Sequence, residues 1–153
     1  MSFVLESPAF KEGEMIPRRH ACDGEDLSPP LRWTDPPAGT KSLALICEDP
    51  DAPVMTWIHW VVPFIPPDRR ELNEGIPAKE TVEGLKQANN SWRRIGWGGP
   101  CPPGNKAHRY FFRLYALDNV VEMRSSEGRR GLDRAMSGHM MAETHLMGRY
   151  QRA

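Results

Sequence analysis

The chain has 153 residues, enough for one compact domain that buries a core without covalent staples. Lys and Arg total 20, as do Asp and Glu, so the formal charge is zero and a broad electrostatic pull toward nucleic acid or anionic lipid is excluded. Cys22, Cys47 and Cys101 are odd in number and lack a CxxC pairing, which argues against a disulfide framework and a structural zinc site and for a reducing compartment. The N-terminus, MSFVLESPAFKEG, has no basic stretch followed by an apolar one, and no apolar run approaches the ~20 residues of a membrane helix. A single soluble, cytoplasmic domain over 1–153 is expected, with long loops implied by 15 prolines and 13 glycines.

SLALICE (42–48) is an apolar run with β-branched content that reads as a strand, closed by DPDAP. TWIHWVVPF (56–64) follows, and strict alternation would set Trp57, His59 and Val61 against Ile58, Trp60 and Val62. Both faces are rich in apolar groups, as in a central strand. PPDRRELNEGIP and GWGGPCPPGNK are too punctuated for regular helix. HRYFFRLYALD (108–118) is the strongest strand signal, with His108, Tyr110, Phe112 and Leu114 on one face. LDRAMSGHMMAETHLMGRY (132–150) has helical spacing through Leu132, Met136, Met140 and Met147, interrupted by Gly138. Many strands and one C-terminal helix predict a mainly β domain, sheet on sheet, with the helix at an edge.

Three stretches can carry chemistry. CEDPDAPVMTWIHW brings Asp49 and Asp51, beside prolines, close in sequence to His59. In GWGGPCPPGNKAHRY, Gly98 and Gly99 can let backbone N–H groups approach an anion, and His108 and Tyr110 project side by side from one strand face. Taken singly, His59 also suits a core histidine held by a carbonyl, and the Asp-Pro turn suits a solvated loop. No P-loop, GxGxxG, HExxH or GxSxG pattern is present, so no nucleotide device, metal site, catalytic nucleophile or cofactor is assigned.

Together SPPLRWTDPPAGTKSLALICEDPDAP, TWIHWVV, GWGGPCPPGNKAHRYFFRLYALD and GHMMAETHLMGRYQR closely resemble the phosphatidylethanolamine-binding protein (PEBP) family, also called Raf kinase inhibitor-like proteins, in its bacterial and archaeal YbhB/YbcL branch. The resemblance runs from about Phe3 to Arg152. It implies a large central antiparallel β-sheet packed on a smaller sheet, with a C-terminal helix beside a small anion-binding pocket. It places Asp49, His59, Gly98, Gly99, His108 and Tyr110 at the ligand, with Asp51, Pro53, Trp57 and Pro100 shaping the pocket. The family's branch includes homodimers, so a homodimer is a reasonable expectation. Only five residues separate Pro53 from His59, fewer than in the eukaryotic kinase inhibitors, so kinase inhibition does not carry over from that region.

Three functions are weighed on these residues. The first is a non-enzymatic module that binds a phosphorylated small ligand, or a phosphorylated side chain of a protein partner, and so modulates signalling. The second is a hydrolase in which a histidine is general acid or base and Asp49 orients it. The third is inhibition of a kinase or protease through surface loops.

Overall fold

The computed structural model describes residues 2–152. Its frame is a six-stranded antiparallel sheet made of β3 (Ser42–Asp49), β4 (Trp57–Ile65), β6 (Thr81–Val82), β7 (Leu85–Ala88), β8 (His108–Leu117) and β9 (Met140–Tyr150). The order across it is β6-β7-β4-β3-β8-β9. A smaller antiparallel sheet, β1-β2-β5, is formed by Leu5–Glu6, Leu31–Trp33 and Glu71–Leu72. The architecture is the expected mainly β arrangement of two sheets with an α-helix toward the C-terminal end.

Central position explains the composition of β3. Leu43, Leu45 and Cys47 face the small sheet and pack with Leu5, Leu31, Trp33, Leu72, Trp60 and Phe112. Ala44 and Ile46 face the other way, against Leu132 and Met136 of α1 (Gly128–Met136). Both faces of β3 are therefore dry, which is why the strand reads as a continuous apolar run. Asp49 is the next residue on the small-sheet side, so the same alternation that buries Leu43 also carries a carboxylate to the end of the sheet.

The helix differs from its sequence expectation. It ends at Met136, Gly138 turns the chain at φ +80°, and residues 140–150 form β9. β9 pairs with the whole of β8, from His108↔Tyr150 to Leu117↔Met140. The four-residue spacing of Leu132, Met136 and Met140 imitated a helix that Gly138 in fact divides. Leu146, Gly148 and Tyr150 are buried at intervals of two, the period of a strand.

The cysteine reading is also corrected. Cys22 and Cys101 form a disulfide across 79 positions of sequence, leaving buried Cys47 as the free thiol. The bridge joins two loops whose proximity is a product of the fold, and no local spacing announces it. The cysteine count therefore gives no support to a reducing compartment. No described helix is long and apolar enough to cross a membrane.

Candidate functional site

A break in strand pairing aims the first histidine. Cys47 pairs with Trp60 and Glu48 with Ile58, so His59 is the extra residue of a β-bulge. Strict alternation would turn His59 with Val61 toward α1. Instead Ile58 and Val61 pack on the helix side, while Trp60 lies in the small-sheet core and His59 meets Tyr110 of that same core edge to face at 5.1 Å. The face assignment drawn from alternation is thus overturned at this residue.

His59, 3 % exposed, is held by a 2.6 Å hydrogen bond from Nδ1 to the Gly98 carbonyl. Since a carbonyl only accepts, Nδ1 carries the proton, and the neutral ring keeps a lone pair at Nε2. Burial lowers the pKa of His59 below the usual histidine value, although the Gly98 carbonyl and the Asp49 carboxylate pull the other way. On β8, on the far side of β3 from His59, His108 donates Nδ1–H to Asp49 Oδ2 at 2.7 Å. The second oxygen of Asp49 accepts the Asp51 N–H at 2.8 Å. Asp49 is thus an anchor for both the histidine and the turn that follows β3.

Asp49, Pro53, Trp57, His59, His108 and Tyr110 come together around a cavity of about 280 Å³. Trp92, Ala52, Cys101, Pro102 and Pro103 complete its wall and were not singled out in the sequence. Trp92 lies in the polar stretch NNSWRR, which gives no local sign of a pocket residue. Asn90 sets it, since its Oδ1 accepts the backbone N–H groups of Trp92 and Arg94 and its amide donates to the Gly96 carbonyl. The Trp92 ring then stands edge-on to His59 at 5.1 Å and to Trp57 at 5.5 Å.

Four expected site residues lie behind this wall. The Gly98 N–H is bonded to the His59 carbonyl at 3.0 Å and the Gly99 N–H to Asp26 Oδ1 at 2.8 Å, so neither amide is a free anion donor. Their lack of a side chain matters more, because a Cβ on Gly98 would fall 2.4 Å from the Trp92 ring. Pro100 accepts the Cys22 N–H through its carbonyl. Asp51 clamps Arg109, taking the backbone N–H at 2.9 Å and the guanidinium at 2.9 and 2.8 Å. That bidentate contact holds the carboxyl of Asp51 below the usual aspartate range.

The cavity is aromatic and apolar in most of its lining, with two buried donors that have no protein partner, Tyr110 Oη and Trp57 Nε1. Burial first, then the nearby Asp49 charge, raises the pKa of the Tyr110 hydroxyl far above the ordinary tyrosine value, so it stays protonated and can donate. Among the described residues no group of three or more His, Cys, Asp or Glu side chains is placed to hold a metal ion.

Residues 6–151 match the family model of the phosphatidylethanolamine-binding proteins. The chain belongs to the PEBP family. It is 47 % identical over 149 residues to a UPF0098 protein of Methanothermobacter thermautotrophicus, covering 97 % of this chain and 98 % of that one. A UPF0098 protein of Aquifex aeolicus is 46 % identical, covering 95 % and 86 %. Among solved structures, the Chlamydia trachomatis protein described as a PEBP homologue superposes with a TM-score of 0.90 at 39 % identity over 99 % of each chain. YbcL of E. coli, described as a new member of the mammalian PEBP family, gives 0.91 at 30 % identity over both full chains.

Burial of two histidines has a consequence for stability. Burial also lowers the pKa of His20, whose Nδ1 donates to the Leu27 carbonyl at 2.8 Å. Below the ordinary histidine value of 6.5 the unfolded chain takes up protons that folded His59 and His20 resist. Stability is therefore expected to be full above pH 6.5 and to fall as the pH drops from there toward the lowered folded values. Urea midpoints at pH 7.5, 6.0 and 5.0 measure it. Glu48 and Asp51, both held below the ordinary carboxylate values of 4.5 and 3.8, add their losses only in more acidic solution. A midpoint unchanged down to pH 5.0 would contradict the assignment to histidine.

Proposed function

We propose that the chain is a non-enzymatic receptor for a small molecule bearing a phosphate group, taken into the cavity between β3, β4 and β8. The observation that carries this reading is the Asp49–His108 pair on the wall of a cavity that Tyr110 and Trp57 also line, the donors Tyr110 Oη and Trp57 Nε1 being buried just behind its surface with no protein partner. An unsatisfied buried polar group costs about 1–3 kcal/mol, a cost that an accepting ligand removes. Phosphate oxygens accept from both donors and from His108 Nε2 when that ring is protonated. The lone pair at His59 Nε2 favours a ligand that retains one P–O–H group, because it can accept that proton in a hydrogen bond.

The cavity's size favours a phosphate with a small substituent, since about 280 Å³ lies at the lower end of ligand pockets. Its walls contain no Ser, Thr or free Cys, and no Lys or Arg. The absence of a serine, threonine or free-cysteine nucleophile from this wall, among the described residues, supports binding over acyl or phosphoryl transfer through such a group. Modulation of signalling would follow from which phosphorylated molecule occupies the site.

The test is titration with inorganic phosphate and phosphoethanolamine while the imidazole resonances are followed by NMR. Saturable shifts at His59 and His108 are expected, and unmoved resonances at both would refute the reading. Tyr110→Phe adds a diagnostic with two signs. It should weaken binding by the ~0.5–1.5 kcal/mol of one hydrogen bond, while leaving the free protein as stable as before or more so, because the hydroxyl has no partner there. A loss of stability with unchanged affinity would show that the hydroxyl serves the fold and not a ligand.

A further inference from the structure

The segment that runs from behind the cavity wall into it, between β7 and β8, has two unlike halves. Residues 97–100 are fastened to the segment 20–26 by three hydrogen bonds. Trp97 Nε1 donates to the His20 carbonyl at 3.0 Å, Gly99 N–H to Asp26 Oδ1 at 2.8 Å, and Cys22 N–H to the Pro100 carbonyl at 3.0 Å. Past Cys101 the chain changes character. Pro102 and Pro103 line the cavity and have no N–H to donate, and residues 103–107 are exposed. Between Pro102 and Lys106, the hydrogen bond to the rest of the chain among the described residues is that from Gln151 Nε2 to the Asn105 carbonyl.

The boundary between the halves is the disulfide. Cys101 lines the cavity, its bond to Cys22 fixes where the second half begins, and both cysteines are exposed to solvent. At the other end of the loop, His108 is held independently by β8 and by Asp49. A reductant can therefore reach the bond, and breaking it would free the proline wall without touching the histidine pair.

We propose that the Cys22–Cys101 bond is a redox latch on the cavity, oxidised when Cys101, Pro102 and Pro103 form part of its wall and reduced when they and the loop to residue 107 move away. The effect of the latch on ligand affinity rests on the phosphate-binding reading; its effect on loop mobility does not. In the reductive step a thiolate of a dithiol reductant attacks one sulfur and expels the other as a thiolate, giving a mixed disulfide. The reductant's second thiol then displaces the protein sulfur. Two electrons and two protons pass to the protein, yielding two thiols, and the reductant leaves as its own disulfide.

The experiment compares the oxidised protein, the dithiothreitol-reduced protein and the Cys22→Ser/Cys101→Ser variant by backbone 15N order parameters, by amide hydrogen exchange in the strands and by titration with inorganic phosphate. Order parameters at residues 104–107 are expected to fall below about 0.6 on reduction and in the variant, with exchange in β3 and β8 unchanged, and phosphate affinity to fall at least fivefold. Reoxidation should restore the wild type and leave the variant as it was. Equal loop order parameters in the oxidised and reduced wild type overturn the latch, and so does a loosened loop with unaltered affinity. If the oxidised protein takes no phosphate, the binding reading falls and the loop order parameters alone decide the latch. Quickened exchange in β3 and β8 of the variant would mark misfolding, and the comparison of oxidised with reduced wild type then decides the latch by itself.

Discussion

Asp49→Ala is expected to lower stability by about 1–3 kcal/mol and to weaken phosphate binding tenfold or more. The side chain is 3 % exposed and accepts two hydrogen bonds, from His108 Nδ1 and from the Asp51 N–H. Removing it leaves the buried His108 Nδ1–H without an acceptor, and the β3–β4 turn loses the bond to the Asp51 N–H that sets its path. The effect on binding comes through His108. With a carboxylate on Nδ1, the neutral ring has a lone pair at Nε2 and the protonated ring has a donor there, so the pair presents an N–H to the ligand only with a positive charge. Asp49→Asn separates the two roles. Its amide can donate to Nδ1, which moves the neutral ring's proton to Nε2 and keeps a donor in the cavity without the charge. Asn should therefore recover much of the stability but only part of the affinity. Urea denaturation and calorimetric titration with phosphate measure both, and full affinity in the Ala variant would move the ligand elsewhere.

How far the sequence announced this site depended on burial and pairing. β3 was legible because it is apolar on two faces and β8 because it alternates over ten residues, which places His108 and Tyr110 correctly on one face, whereas Asp49, expected in the turn, is in fact the last residue of β3. His59 was found as a residue but assigned to the wrong face, since a bulge inserts one position that no pattern of two can register. β9 was hidden by its own composition. It is an edge strand, half exposed, whose methionines fall at helical intervals from Leu132. The strands of the small sheet are two or three residues long, too short for any period to appear. Trp92 and the proline wall enter the cavity from loops whose paths are set by side-chain bonds of Asn90 within its own turn and by a disulfide that joins segments 79 positions apart, and neither follows a periodic pattern. Resemblance to the PEBP family supplied what the periodicity could not, namely that the ends of β3, β4 and β8 converge.

Gly99→Ala should destabilise the protein by about 3 kcal/mol, the upper end of the usual range for overpacking. The residue was expected to present its amide to an anion, but that N–H is already bonded to Asp26 Oδ1. The physical demand is for the missing side chain. A Cβ at this position would fall 2.2 Å from the His20 carbonyl oxygen, 2.3 Å from Asp26 Oδ1 and 3.0 Å from Ala21 Cα. Asp26 can rotate away at the expense of its hydrogen bond, whereas the backbone of His20 and Ala21 can yield only if the whole segment shifts. That segment is tied to this one on both sides of Gly99, by Trp97 Nε1 to the His20 carbonyl and by the Cys22–Cys101 bond. The strain therefore has no local outlet in the oxidised protein. Reduction removes the covalent tie and leaves the Cys22 N–H bond to the Pro100 carbonyl alone on that side, so Gly99→Ala should cost less in the reduced protein than in the oxidised one. Urea midpoints of wild type and variant, each with and without dithiothreitol, form the double cycle that measures this difference. Equal costs in the two redox states would mean that the hydrogen bonds of residues 97–100 hold the wall without help from the disulfide, and that the covalent tie governs only the loop beyond it.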